Sequence, residues 1–132
     1  GDGTSQDTGY HQNATSQNLA YFTHAFAPGS WTVVASGADA AGNPVSAAMQ
    51  VVVYPQLAPA VSATPSATDP QTVTYGGSVT GGDGHVLAMR WTFADGTAAD
   101  GATVTHSFPP GVTPGATLTV VDGTGSAASA SG

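Results

Sequence analysis

The sequence predicts an all-β protein with many turns and almost no helix. Three observations support this prediction. Apolar and polar residues alternate in several short segments, as they do in strands with one buried face. Val and Thr are plentiful among the 132 residues, whereas Lys and Glu, two strong helix formers, are absent. Eighteen glycines and nine prolines supply turns between the strands.

The clearest strand is residues 86–93, where alternation places Leu87, Met89, Trp91 and Phe93 on one face. Trp91 is expected to anchor the core. Similar alternation predicts further strands near residues 31–36, 73–79 and 117–121, and a largely apolar run predicts another at residues 45–53. Turns rich in Gly and Asp separate these strands at residues 39–44, 81–84, 95–96 and 122–123.

The charge composition excludes several classes of function. The chain has one basic residue and eight acidic residues, which give a net charge of −7. One cation cannot neutralise a nucleic-acid backbone or an anionic membrane surface, and the apolar runs are too short to span a bilayer. We therefore expect no nucleic-acid partner and no membrane insertion. Without Lys and Cys, Schiff-base chemistry, thiol catalysis and thiolate metal sites are also excluded.

A short motif occurs twice along the chain. In each copy, an Asp-Gly-Thr turn is followed by Thr-His-x-Phe and then by a Pro-Gly pair. The first copy contains Asp2, Gly3, Thr4, His24 and Phe26, and the second contains Asp95, Gly96, Thr97, His106 and Phe108. The interval between the two copies is the length of one β-sandwich domain, so it indicates tandem domains and not a short solenoid repeat.

The second copy resembles the PKD (polycystic kidney disease) domain family. Residues 91–97 read Trp-Thr-Phe-Ala-Asp-Gly-Thr, close to the family hallmark Trp-x-Phe-Gly-Asp-Gly-Thr, and His106 and Phe108 match its His-x-Tyr/Phe. The sequence departs from the family at Ala94, which replaces a Gly, and at residues 112–114, which lengthen the Pro-Gly turn. The resemblance implies an immunoglobulin-like sandwich of about seven strands, found in extracellular and cell-surface proteins, without catalytic activity.

The same resemblance divides the chain. Residues 60–132 look like a nearly whole PKD-like domain, and residues 1–54 look like the second half of another. Four prolines in residues 55–70 predict a linker with a first edge strand near residues 60–63. Gly1 is not an initiator and no signal peptide is visible, so we expect a longer precursor. The upstream strands of the first repeat come either from another chain or from the same polypeptide.

The duplicated motif is expected to be structural. The carboxylate of Asp95 is predicted to accept the amide of Thr97 while Gly96 adopts a positive φ. A calcium role for Asp95 with Asp100, or for Asp2 with Asp7, is the alternative, although calcium takes six or more oxygens. The sequence thus predicts no metal site, no cofactor and no catalytic residue.

Four histidines are present, at positions 11, 24, 85 and 106. His24 and His106 stand in equivalent places beside apolar residues, which predicts partly buried imidazoles hydrogen-bonded to the backbone. His11 and His85 lie in predicted loops with no second His at ligand spacing. No Gly-x-Ser-x-Gly signature of a serine nucleophile occurs.

Other residues suggest contacts with sugars. Trp31 stands where the PKD family has Tyr and is expected to pack in the core as Trp91 does. Tyr10, Tyr21 and Tyr54 either pack in the same ordinary way or form an exposed platform for carbohydrate. Asn13-Ala14-Thr15 is a possible glycosylation site, and the Ser- and Thr-rich outer faces would suit O-linked sugars.

Residues 49–54 are apolar on both faces apart from Gln50, which predicts that both faces are covered. The predicted assembly surface consists of Met49, Val51, Val52, Val53 and Tyr54. We therefore expect self-association of identical chains. The predicted function is a non-catalytic extracellular structural protein, a subunit of a surface filament, stalk or layer. The alternative is an accessory polysaccharide- or protein-binding module of a larger secreted hydrolase.

Overall fold

The computed structural model describes residues 2–5 and 23–132, which contain nine β-strands and no helix. The predicted all-β fold class is thereby confirmed. Accordingly, this part of the chain holds no helix long and apolar enough to cross a bilayer. The chain divides into two compact units, Gly1–Val53 and Tyr54–Gly132. Several residues singled out in the sequence lie outside the described ranges, namely Asp7, Tyr10, His11, Asn13 and Tyr21.

The first unit is built on one antiparallel hairpin. Its strands are β1 (Gly29–Ala38) and β2 (Pro44–Val53), and Val33 lies opposite Met49 in their register. Both strands are rich in Val, Ala and Ser, and the Asp-Ala-Ala-Gly-Asn segment between them forms the predicted turn. Both edges of the hairpin lack a partner strand within the described residues.

The second unit consists of two antiparallel sheets. One sheet has the order β3-β4-β7 and the other has the order β6-β5-β8-β9. The seven strands are β3 (Ala58–Pro65), β4 (Thr72–Thr80), β5 (Val86–Phe93), β6 (Ala98–Asp100), β7 (Thr103–Ser107), β8 (Ala116–Asp122) and β9 (Ala127–Ser131).

The core of the second unit lies between the two sheets. Trp91, Leu118 and Val120 are fully buried, and the ring of Tyr75 packs 5.6 Å from Trp91 and 5.8 Å from Phe93. The Trp91 indole Nε1 donates a hydrogen bond to the Gly101 carbonyl at 2.9 Å, so its burial leaves no polar group unpaired. The predicted burial of Trp91 and Phe93 is confirmed.

One residue of β5 is placed differently from the prediction. Leu87 was expected on the buried face, but it is 69% exposed. A β-bulge causes this difference, because Val86 lies opposite Asp122 whereas Ala88 lies opposite Val121. Leu87 is the extra residue, and the regular alternation toward the core begins only after it.

Residues 55–70, where the sequence predicted extended chain with a short edge strand, contain the eight-residue strand β3. This strand pairs with β4 alone, so it lies at the edge of its sheet. Pro59 and Pro65 are tolerated there because an edge strand can direct its missing amide donors away from the ladder. Leu57, just before β3, is buried in the core.

Candidate functional site

The Asp-Gly-Thr segment after β5 forms a compact turn. Oδ1 of Asp95 accepts the backbone amide of Thr97 at 3.0 Å and the Thr97 hydroxyl at 2.6 Å. Gly96 has φ = 83°, in the left-handed region that Gly adopts without a steric penalty. Its amide donates to the Phe93 carbonyl at 2.9 Å, which closes the corner at the end of β5.

The second oxygen of Asp95 binds His106 on β7. The distance between Asp95 Oδ2 and His106 Nε2 is 2.7 Å. The imidazole stacks on Phe93 with 4.0 Å between ring centroids, and it meets Phe108 edge-on at 4.7 Å. The side chains of His106 and Asp95 are 20% and 8% exposed. The expectation of a backbone partner for this imidazole is therefore wrong, because the partner is a carboxylate.

These contacts lower the pKa of Asp95 from 3.8 to about 2. The Thr97 hydroxyl contributes most, followed by His106 and the Thr97 amide. All three groups donate to the carboxylate, and hydrogen bonds to the ionised form favour it. The side chain is thus held as an anion over most of the acidic pH range.

The first unit contains the same arrangement. Oδ1 of Asp2 accepts the Thr4 amide at 3.0 Å and the Thr4 hydroxyl at 2.6 Å, and Gly3 again has φ = 83°. Oδ2 of Asp2 lies 2.6 Å from His24 Nε2, and His24 packs edge-on against Phe26 at 4.4 Å. The pKa of Asp2 is lowered for the same reasons, the Thr4 hydroxyl being the largest. We call each copy an Asp-Thr-His cluster.

The geometry of the cluster does not suit nucleophilic catalysis. In a catalytic triad, the nucleophile and the carboxylate bind opposite nitrogens of the imidazole. Here the Thr97 hydroxyl, at 3.3 Å, and the Asp95 carboxylate, at 2.7 Å, both lie at Nε2 of His106. The Thr97 hydroxyl also donates to Asp95, so its proton points to the carboxylate and not to the imidazole.

The cluster also lacks the ligands of a metal centre. Calcium requires several converging oxygens, and the Asp95 oxygens are occupied by Thr97 and His106. Asp100, the second ligand of the calcium alternative, pairs with Arg90 at 3.3 Å. No group of three or more His, Cys, Asp or Glu side chains that could hold a metal occurs in residues 2–5 and 23–132.

A second kind of turn is closed by an Asp carboxylate that accepts two backbone amides, and the sequence analysis predicted these turns without that bonding pattern. Oδ1 of the buried Asp122 accepts amides from Thr124 at 3.0 Å and from Ser126 at 2.9 Å. Asp39 in the first unit accepts amides from Ala41 and Asn43 in the same pattern, at 2.9 and 2.8 Å. The signal in the sequence is Asp followed by Gly three residues later and by Asn or Ser at the fourth.

The remaining predicted residues lie in the first unit or next to it. Met49 is 60% exposed and Val52 is 53% exposed, whereas Val51 and Val53 are half-buried. Tyr54 is exposed. Trp31 is half-buried and is not enclosed as Trp91 is. Its Nε1 donates to the Ala27 carbonyl at 2.8 Å, and its ring stacks on Phe26 at 5.7 Å.

The second unit is an immunoglobulin-like β-sandwich module. Its two antiparallel sheets pack around a Trp, and an Asp-Thr-His cluster closes one of its turns. The PKD domain family model matches residues 56–132, more than half of the chain. The chain therefore belongs to the PKD domain family. Neither the curated proteins nor the solved structures yielded a match. PKD domains are generally non-catalytic modules and typically occur in extracellular or surface proteins.

Proposed function

We propose that this chain is a non-catalytic structural protein of the extracellular space or cell surface, a subunit of a filament, stalk or layer. In this proposal, identical chains associate with one another and PKD domains supply the building units. Membership of the PKD family supports the extracellular module. The proposed assembly rests on one observation, the exposed apolar face of the β1–β2 hairpin.

The register of the hairpin gives it one face without polar side chains. Directly opposed residues of an antiparallel pair share a face, and alternate residues along each strand do so as well. One face therefore holds only apolar side chains, whereas the other includes Thr32, Ser36 and Gln50. We call the first the apolar hairpin face; its side chains are Trp31, Val33, Ala35, Val45, Ala47, Met49, Val51 and Val53.

Much of the apolar hairpin face is in contact with solvent. Ala35, Val45, Ala47 and Met49 are exposed, and Trp31 is half-buried. Leaving apolar area in water costs about 25 cal/mol per Å². Association with a second chain would remove this cost, and contiguous apolar patches commonly mark interfaces.

The proposal is tested by measuring mass in solution across the micromolar range by sedimentation velocity, with electron microscopy of the same samples. We expect mass to rise with concentration and ordered fibres or lattices to form. Met49→Asp places a charge on the apolar hairpin face and should abolish assembly. Ala48→Asp adds the same charge on the opposite face and should leave assembly intact. A monomer at every concentration would refute the proposal.

A second candidate is an accessory polysaccharide-binding module of a larger secreted hydrolase. The half-buried rings of Phe26 and Trp31, stacked at an interplanar angle of 28°, favour it as a platform for a sugar ring. Affinity electrophoresis in gels containing neutral polysaccharides distinguishes this binding module from the structural subunit proposed above. Retardation of the wild-type chain but not of Trp31→Ala would support this candidate, and equal mobility of both proteins would contradict it.

A further inference from the structure

The chain contains sulfur at two positions, Met49 and Met89, because it has no cysteine. Met89 lies on β5 and packs against the core of the second unit, with its methyl group 2.9 Å from the position that a Cβ on Gly77 would take. Met49 lies on β2 and is 60% exposed. An oxidant in solution therefore reaches the sulfur of Met49 far more readily than that of Met89.

Met49 belongs to the apolar hairpin face. It lies opposite Val33, and its neighbours on the face include the small, exposed side chains of Ala35 and Ala47. Neither β1 nor β2 contains a charged residue. The indole of Trp31 is the one side chain of the face that carries an N–H group, and this group is already bonded to a backbone carbonyl. An oxygen atom on the Met49 sulfur would thus find no free side-chain donor on this face.

We propose that Met49 is an oxidation site whose modification switches off association through the apolar hairpin face. Hydrogen peroxide transfers one oxygen atom to Sδ, so that an S–O bond forms, the peroxide O–O bond breaks and water leaves. The sulfur loses two electrons, and the peroxide gains them. Methionine sulfoxide reductases reverse the step with a dithiol, which becomes a disulfide while the oxygen leaves as water. The chain has no thiol, so this reductant comes from outside it.

The sulfoxide opposes a dry contact between two apolar faces. Oxidation turns a flexible apolar side chain into a polar one, and a polar group that is buried without a hydrogen bond disfavours association. The exposed side chains of the face are those of Met49, Ala35, Val45 and Ala47, and that of Met49 is the largest. Its oxidation therefore changes much of the surface that is open to a partner. The effect on assembly rests on the proposed function, whereas the selective oxidation of Met49 does not.

The site is tested by treating the chain with hydrogen peroxide at a concentration where sedimentation shows single chains. Peptide mass spectrometry follows the addition of one oxygen atom to each methionine. We expect Met49 to be oxidised about tenfold or more faster than Met89. In concentrated urea the two rates should become similar, because unfolding exposes both side chains. Equal rates in the folded chain would overturn the assignment of the site.

The switch is tested by sedimentation velocity on oxidised and untreated samples. We expect the oxidised wild type to associate only at about tenfold or higher concentration, and reductases for both sulfoxide epimers, supplied with dithiothreitol, to restore association. Met89→Leu keeps the sulfur of Met49 and should respond to peroxide as the wild type does. Met49→Leu lacks that sulfur, so peroxide should not change its association relative to its own untreated sample.

Association that persists after Met49 is oxidised would overturn the switch, and so would an equal loss in peroxide-treated Met49→Leu. An untreated wild type that never associates would instead refute the proposed function, and the switch with it. The mass measurement would still decide whether Met49 is the site of oxidation.

Discussion

Asp95 joins two strands because its two carboxylate oxygens bind in different directions. Oδ1 holds the turn after β5 through Thr97, and Oδ2 holds β7 through His106. His106 in turn lies flat on Phe93, which belongs to the buried core. A single ionised side chain thereby ties a surface turn to the interior, and Asp2 makes the same set of bonds in the first unit.

The lowered pKa of Asp95 predicts a loss of stability in acid. A carboxylate whose folded pKa, about 2, lies below its unfolded value of 3.8 stabilises the fold fully above the unfolded value. The contribution is lost as the pH falls from 3.8 through about 2. Urea unfolding at several pH values between these limits should show stability of the second unit falling with pH.

Asp95→Asn supplies the matched comparison, because the amide cannot ionise. The variant should be less stable than the wild type at pH 7, and its stability should change less between pH 4 and pH 2. Asp100→Asn changes a carboxylate that is paired with the exposed Arg90 at the surface, and it should retain the wild-type pH dependence. An unchanged pH dependence in Asp95→Asn would contradict the assignment.

Strand β5 combines a regular buried half with a β-bulge near its start. From Met89 onward, alternate residues point into the sandwich. There Trp91 and Phe93 pack against Tyr75, which lies on β4 in the opposite sheet. At Leu87 the bulge adds one residue to β5 relative to β8 and leaves this side chain in solvent. The two halves of the same strand should therefore respond differently to truncation.

Trp91→Ala should destabilise the second unit by about 3–5 kcal/mol, the usual cost of emptying a large buried aromatic site. Leu87→Ala removes an exposed side chain from the same strand and should change stability by less than about 0.5 kcal/mol. Urea unfolding followed by far-ultraviolet circular dichroism measures both effects. A large loss in Leu87→Ala would show that the bulge does not keep this residue in solvent.

The pattern of the sequence predicted the regular parts of the fold well. Trp91, Phe93, Leu118 and Val120 follow strict alternation, and all are buried. Leu87 obeys the same alternation, so nothing in the pattern distinguishes it; the bulge arises from pairing with β8, which is remote in sequence. The partner of His106 was missed for a similar reason, because residue type indicates a hydrogen bond but only the turn geometry decides which acceptor is nearest.

The two units have the same kinds of hydrogen-bonded turn, but they differ in how far their apolar side chains are buried. Both contain an Asp-Thr-His cluster and an Asp-closed hairpin, with bond lengths that agree closely between the copies. In the second unit the hairpin covers a core, whereas much of the apolar hairpin face in the first is exposed. The turns of the first unit therefore have the same hydrogen bonds as those of the second, although much of its hairpin is exposed.

Calcium should have little effect on the stability of the chain. The carboxylates of Asp2, Asp39, Asp95 and Asp122 already accept amide or hydroxyl protons from their own turns. A calcium ion needs six or more oxygens and would have to displace these donors. Calorimetry in about 1 mM calcium and in excess chelator should give the same melting temperature. A rise of many degrees with calcium would contradict this assignment of the turns.

The prolines of β3 have a consequence for crowding. An exposed sheet edge is a template on which folded domains stick to one another and eventually precipitate. Pro59 and Pro65 remove two of the eight amides from the outermost strand of its sheet, so a passing chain finds an interrupted row of donors there. This edge of the domain therefore has little tendency to fuse with other copies into a continuous sheet, even where many copies are held close together.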